Sequence, residues 1–290
     1  MPCFWSGNSI LDDRLPKLHG MKYVLVFVTF VLLLVGCKDD QITIDEPINK
    51  DGDKNIVSPE VDKTYRPFLH LFTSIHCGGC GRFGIPVSEI TADEMGDSIF
   101  MLPTHFKYND VFITNSSLAI EKALVVTYHS PQLWVHDKEY TYDIINFSHR
   151  QASDFLKEKL RDKMGDAPGA YIGLDYKLKE NGRFDVTVAI DNASSSDQEL
   201  YYEVYAMEDS LNEVQAGNNP YRRDHHRVNR GGHYGEMGQK HVFSGNEKVS
   251  DNFEFVPCLG CTSSKMYFAV VVWRSLGNGR FEYVNGKYFR

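Results

Sequence analysis

No stretch of the 290 residues holds the roughly 20 consecutive apolar side chains that a bilayer-crossing helix needs. Positive charge is also short: 31 Lys and Arg stand against 39 Asp and Glu, a formal net charge of -8. Nucleic-acid binding rests on basic patches that neutralise phosphates, so no nucleic acid is expected as a partner. Cysteine is sparse, six in all, and 177 residues separate Cys80 from Cys258, far beyond zinc-ribbon spacing. His70 and His105 fall in apolar strand-like segments and read as core or near-core. No spacing calls for a metal, and none is expected. What remains is a globular composition, long enough for two domains with a core each.

A shorter apolar run is present. Met21-Lys22-Tyr23 leads into the twelve residues Val24 to Val35, apolar except for Thr29, which is the length of a secretory signal core. It ends in Leu34-Val35-Gly36-Cys37, which resembles the lipobox of bacterial lipoproteins, where a small residue precedes a cysteine that is diacylated before cleavage. The resemblance implies that residues 1-36 are removed, that Cys37 carries covalent lipid as the membrane anchor, and that no other cofactor is needed. Asp12 and Asp13 do not suit the positive start of a signal, so Met21 is the expected first residue. Lys38-Asp39-Asp40 resembles the signal with which some Gram-negative lineages send lipoproteins outward. Outer-membrane, surface-exposed attachment is the corresponding expectation. Residues 37-66 read as a tether, since twelve of the twenty-six residues from Lys38 to Lys63 are charged and no apolar period is sustained. It is expected to pack against nothing.

From 67 to 166 the pattern alternates strand and helix. Phe68 to Thr73 reads as a strand, and Phe83, Val87 and Ile90 recur at helical spacing behind a cysteine pair. Ile99 to His105 is a second strand. Asn115-Ser116-Ser117 caps a short helix through Ala123, and Gln132 to Val135 follows Pro131 as a strand. A charged helix carries Phe155, Leu156, Leu160 and Met164 on one stripe and stops at Gly165. Beyond the hinge-like Asp166-Ala167-Pro168-Gly169, residues 167-290 change to a period of two. Tyr171 to Lys179 and Arg183 to Ile190 flank Asn181-Gly182, a hairpin signal. Further strands are expected at Leu200 to Ala206, Lys240 to Ser244, Asn252 to Val256, Lys265 to Trp273 and Arg280 to Phe289. About seven strands predict an all-β antiparallel sandwich of the immunoglobulin or fibronectin kind. Asn212 to Gln239 has no clear period and reads as a long loop.

Cys77-Gly78-Gly79-Cys80 falls where a strand meets a helix. The unpaired N-H groups and dipole of a helix start lower a thiol pKa, so Cys77 reads as an exposed nucleophile and Cys80, a turn inward, as the resolving thiol. His76, when protonated, would favour the thiolate, and the two glycines would leave the sulfurs open to a bulky substrate. An inert structural disulfide and a metal-binding pair are the other readings. Cys258 and Cys261 lie in a turn between strands with no helix to activate them, and read as a structural disulfide. Closing so small a loop stabilises the fold by only about 2 kcal/mol. Arg222, Arg223, Arg227 and Arg230, with His225 and His226 nearby, carry enough charge to hold an anion. The same arginines suit a solvated loop or a contact between the two domains.

Strand, Cys-x-x-Cys, helix, strand, helix and then a proline leading into a strand is the order of the thioredoxin fold, which residues 67-164 resemble. By that resemblance Pro131 is a cis-proline facing the cysteines, and the backbone of Ser130 pairs with substrate peptide. The wider chain resembles the thioredoxin-like outer membrane lipoproteins named for a twenty-eight-kilodalton outer membrane protein, which join such a domain to a carboxyl-terminal sandwich. That resemblance runs from Phe72-Thr73 to His225-His226-Arg227-Val228-Asn229-Arg230 and Gly235-Glu236. The overall expectation is an α/β thioredoxin-like domain followed by the sandwich. Three positions depart from the pattern. Leu71 stands where thioredoxin has its buried acid, Gly81 replaces the family's proline after the second cysteine, and Pro86 comes one residue later than the helix-kinking proline. Two functions follow: thiol-disulfide exchange with cysteine-containing envelope or surface proteins, or a binding module in which the thioredoxin fold is scaffold and the sandwich meets the partner.

Overall fold

β1 (Phe68–Thr73) is buried at all six positions, because its alternate side chains serve two different cores. Leu69 and Leu71 face one and Phe68 and Phe72 the other. The structure, a computed structural model, describes residues 57-124, 129-219 and 221-290. Residues 1-56, with Cys37, the signal-like run and Lys38-Asp39-Asp40, lie outside the described residues. After β1, a π-helical turn at Cys80–Gly84 runs into α1 (Ile85–Met95), then β2 (Phe100–His105), α2 (Asn115–Ala123), β3 (Gln132–Val135), β4 (Lys138–Glu139), α3 (Thr141–Ile144) and α4 (His149–Arg161). The second half is β: β5 (Ala170–Leu178), β6 (Phe184–Asn192), β7 (Gln198–Glu208), β8 (Leu211–Val214), β9 (Arg222–His225), β10 (Val228–Gly232), β11 (Gln239–Phe243), β12 (Lys248–Phe255), β13 (Met266–Gly277) and β14 (Arg280–Phe289).

Antiparallel sheet dominates the regular structure of the described residues, with few helices. The first sheet has the order β2-β1-β3-β4, and its β1–β2 pair is the parallel one among the described residues. A three-stranded sheet, β12-β6-β5, faces a five-stranded one in which β10-β7-β13-β14 run in order and β11 also pairs with β7. β8 and β9 form a separate hairpin.

Three cores stack these elements in layers. α1 and α4 cover one face of the first sheet through Val87, Ala92, Leu156 and Leu160 against Leu69, Leu71 and Leu133. The three- and five-stranded sheets enclose the second core, with Val186, Val188 and Ile190 opposite Val204, Phe268 and Val270. The remaining face of the five-stranded sheet closes on the remaining face of the first sheet. There Phe68, Phe72, Phe100 and Leu102 meet Tyr205, Met207, Val271 and Trp273. Phe68 stacks on Tyr283 with ring centres 4.5 Å apart. The two halves are therefore joined through an apolar core, and the described residues fall in one compact unit.

Several segments differ from the sequence expectations, each for a local reason. α2 is capped by Thr114, one residue earlier than Asn115: its hydroxyl accepts the Ser117 N–H at 3.1 Å while Ser117 Oγ accepts the Thr114 N–H at 2.9 Å. α4 ends at Arg161 and unwinds through turns, so Met164 is exposed and leaves the apolar stripe. The last part of the expected tether packs. Asp62 N–H donates to Ile172 O at 2.9 Å, Lys248 Nζ to Pro59 O at 2.9 Å, and Gly173 makes room because any Cβ there would lie 2.6 Å from Glu60 O. The long segment 212-239, expected as a loop, contains β9, β10 and all but the first residue of β8. Strands of four or five residues with mixed exposure are too short to show a period. No helix among the described residues is long and apolar enough to cross a membrane.

Candidate functional site

The turn after β1 is held from below by a buried carboxylate. Asp110 Oδ2 accepts the Ile75 N–H at 2.8 Å and pairs with His105 Nδ1 at 2.7 Å, and Oδ1 accepts the Phe112 N–H at 2.9 Å. Burial works against its charge, but the His105 contact and these backbone donors outweigh it and hold the carboxyl below its usual range. His70, in the middle of β1, is fully buried and kept neutral by that burial, its pKa pushed down to about 3. Its Nε2 meets Thr104 Oγ1 at 2.7 Å.

Beyond this turn Cys77 and Cys80 are joined in a disulfide, with Cα atoms 5.2 Å apart. Cys77 is 7% exposed and Cys80 is fully buried, so the attacking and resolving positions differ in access, but Cys77 is less open than its place in sequence suggests. The Cys80 N–H points at Cys77 Sγ over 3.0 Å, which is the helix-start donor that would steady a thiolate there. His76 is exposed beside it, its N–H given to Ser74 Oγ at 3.2 Å. The π turn at Cys80–Gly84 has a cause two residues past its end. Pro86 has no N–H to offer the carbonyl of Arg82, and that oxygen instead accepts His149 Nε2–H of α4 at 2.7 Å.

The glycines leave less room at the sulfurs than their size suggests. A Cβ on Gly78 would meet the Arg82 side chain at an ordinary 3.6 Å, but other glycines of the motif and its helix admit distant segments at close range. The Ser130–Pro131 peptide is cis, and a Cβ on Gly79 would lie 3.1 Å from Pro131 Cδ, one on Gly84 only 2.5 Å from Pro131 Cβ. On the other side comes the connection that leaves β8. Ala216 N–H donates to Ile75 O at 2.7 Å, and Gln215 Nε2 reaches both Ser74 O and Cys77 O at 3.2 Å. A Cβ on Gly81 would sit 2.2 Å from Ala216 O, which is the physical reason that neither proline nor any larger residue fits after Cys80. Gly217, with φ +80°, lies as closely over Gly78 O.

The four arginines do not converge on an anion site. Arg223 pairs with Glu89 and Arg227 with Asp93 at 3.7 Å, both carboxylates on α1 of the first half. Arg230 reaches the buried Glu208 at 3.3 Å and Cys261 Sγ at 3.2 Å, and Arg222 holds Asn212 and Glu213 within its own hairpin. His225 is buried against His105 and Phe112, and burial, with the nearby His105 and Arg223 charges, lowers its pKa to about 4. Two of the arginines thus act as a contact between the halves. Cys258 and Cys261 are bonded in the turn between β12 and β13, with Leu259 fully exposed at the tip. Among the described residues no group of three or more His, Cys, Asp or Glu is placed to hold a metal ion. Asp110, His149 and Gln215 escape a sequence reading. The only signal near Gln215 is the turn-rich Ala216-Gly217-Asn218-Asn219, which says nothing of what it touches.

No model of a known protein family matches the chain, and no curated protein matches it. Among solved structures, HBP35 of Porphyromonas gingivalis superposes with a TM-score of 0.59 at 16% identity, over 79% of this chain and 76% of that one. A sporulation control protein, Spo0M from Bacillus subtilis, matches at a TM-score of 0.28 with 13% identity over 41% of this chain and 47% of that one, too low to argue from. The likeness to HBP35 speaks to the fold. The cysteine pair at disulfide distance fits a thiol-related role.

Proposed function

We propose that residues 67-166 form a thioredoxin-like domain whose Cys77 and Cys80 exchange thiols and disulfides with envelope or surface proteins, carried on a sandwich domain at residues 167-290. The observation that carries this reading is the asymmetric pair itself: Cys77 past the turn that follows β1, with the Cys80 N–H aimed at its sulfur, and Cys80 fully buried behind it. In the reduced protein the Cys77 thiolate attacks one sulfur of a substrate disulfide, and the displaced substrate thiolate takes up a proton. Cys80 then loses its proton and attacks the Cys77 sulfur, which breaks the mixed disulfide and releases the second substrate thiolate. Two electrons pass from the protein dithiol to the substrate, and the reverse sequence oxidises a substrate dithiol. Ser130 offers its backbone to the substrate peptide across from Cys77, and Pro131 shapes the wall beside Gly79.

A specific feature favours the scaffold reading instead: Leu71 is fully packed in the core and supplies no acid to take the proton of Cys80. The pH dependence of Cys77 alkylation in the reduced protein separates the two. Exchange chemistry calls for a midpoint near pH 7 or below, and a midpoint near the ordinary thiol value of about 8.5 leaves the scaffold.

The location belongs to the same proposal. Dual acylation of Cys37 anchors the protein stably where a single chain would not, and Lys38-Asp39-Asp40 directs it to the outer face of the outer membrane. Cys37→Ala is expected to give an unprocessed or soluble protein in cell fractions. Outer-membrane partition equal to that of the unaltered chain would remove the anchor.

A further inference from the structure

The cysteine pair lies between two walls that come from different halves of the chain. Ser130–Pro131 stands over Gly79, and Gln215 to Gly217 stand over Gly78 and Gly81. We infer that Gln215, Ala216 and Gly217 determine which disulfides reach Cys77. The cleft admits small disulfides and extended peptide segments with small side chains beside their cysteine, and turns away bulky or folded ones. The inference rests on the exchange reading above and adds the substrate class.

The second wall is built in at three levels. Its backbone and side chain are bonded to the motif: Ala216 N–H to Ile75 O at 2.7 Å, and Gln215 Nε2 to the carbonyls of Ser74 and Cys77, residues 141 and 138 positions away in sequence. Gln215 is fully buried in making those bonds. The fit is at the steric limit on both sides, since a Cβ on Gly81 would come within 2.2 Å of Ala216 O and one on Gly217 within 2.1 Å of Gly78 O. The hairpin that carries the wall is in turn fastened to α1, the helix that Cys80 leads into, by Arg223 with Glu89. A segment lying loosely over the site would show none of this. What stays open around Cys77 is the strip formed by His76, which is exposed, and Gly78 and Gly79, which are half-buried. An incoming disulfide must therefore present its sulfur along that strip, between the two walls, and side chains wider than the glycines it crosses collide with one of them.

The experiment compares two disulfides of the same chemistry and different bulk on the reduced full chain: oxidised glutathione, and oxidised glutathione carrying a polyethylene glycol chain on each amino group. Loss of the free Cys77 thiol, whether to the mixed disulfide or to the Cys77–Cys80 bond that resolves it, is followed by acid quenching, alkylation and peptide mapping. Gln215→Ala removes the side-chain bonds to the motif, and Ala216→Pro removes the N–H given to Ile75 while leaving Gln215 in place. Each is expected to raise the rate with the bulky disulfide about tenfold, the size of one lost hydrogen bond to a closed position, with less than about a twofold change for glutathione. Equal acceleration of both probes, or of neither, overturns the wall. If oxidised glutathione fails to consume the Cys77 thiol in the unaltered chain and in both variants, the exchange reading falls with it, so the two failures are told apart by the small probe alone.

Discussion

Cells making the Cys80→Ala variant are expected to accumulate mixed disulfides between Cys77 and substrate proteins, about tenfold or more above the Cys77→Ala variant, because the intermediate forms and has no second thiol to resolve it. The asymmetry follows from where the sulfurs lie. Cys77 keeps its small opening along the His76–Gly79 strip, whereas Cys80 is sealed within the core formed by α1, α4 and the first sheet. Leaving Cys80 alone in the chain therefore gives a thiol that no protein disulfide can approach. Nor does it sit where Cys77 does, with the N–H of the next helical turn directed at its sulfur. Non-reducing gels of acid-quenched cells read the result. Equal adduct yields from the two variants, or none from either, would place the scaffold function ahead.

Much of the site's frame was legible because it is local. The position of Cys77-Gly78-Gly79-Cys80 at the junction of β1 with a helix follows from six buried residues giving way to a turn and then to helical spacing. The β5–β6 hairpin reverses at Asn181-Gly182, where Gly182 takes φ +80°, as that dipeptide signals. What stayed hidden is what depends on distant partners. Gly81 looked like a weakness in the motif when compared with proline, and its reason is a carbonyl at Ala216 that sequence spacing cannot bring near. Gly78 and Gly79 looked like clearance for a substrate, and Gly79 is clearance for Pro131, while the carbonyl of Gly78 is what requires a glycine at 217. The arginines showed charge but not direction: Arg223 and Arg227 face Glu89 and Asp93, four residues apart on one face of α1. Glu203 sits in the centre of β7, fully buried, with burial pushing its pKa up to about 8 although Val204 and Tyr234 N–H groups bond it. A strand buried on both faces gives no alternation from which such a carboxylate could be recognised as internal.

The division into two domains has a sharper physical test. The first sheet is covered on one side by α1 and α4, but its other face, with Phe68, Phe72, Phe100 and Leu102 fully buried, is covered largely by β7 and β13 of the second half. Exposing four such side chains would cost each about 1.5 to 3 kcal/mol, comparable in sum with the whole stability of an ordinary domain. The halves are thus expected to unfold together. Trp273 is the place to measure it, being fully buried in that shared core with its ring 5.8 Å from Phe68 and 6.1 Å from Tyr283, both edge-on. Trp273→Ala should cost about 3 to 5 kcal/mol through lost transfer energy and the cavity left behind. In a Trp5→Phe background the variant keeps one tryptophan, Trp134 on β3 of the first half, so its fluorescence reports the half that was not mutated. Its midpoint in urea is expected to fall by about 1 to 2 M and to coincide with the loss of β signal in circular dichroism. If the Trp134 transition stays where it is in the Trp5→Phe parent while the β signal shifts, the two halves fold independently, and the wall that Gln215 to Gly217 raise over Cys77 would then have to be held by the contacts of the β8–β9 hairpin alone.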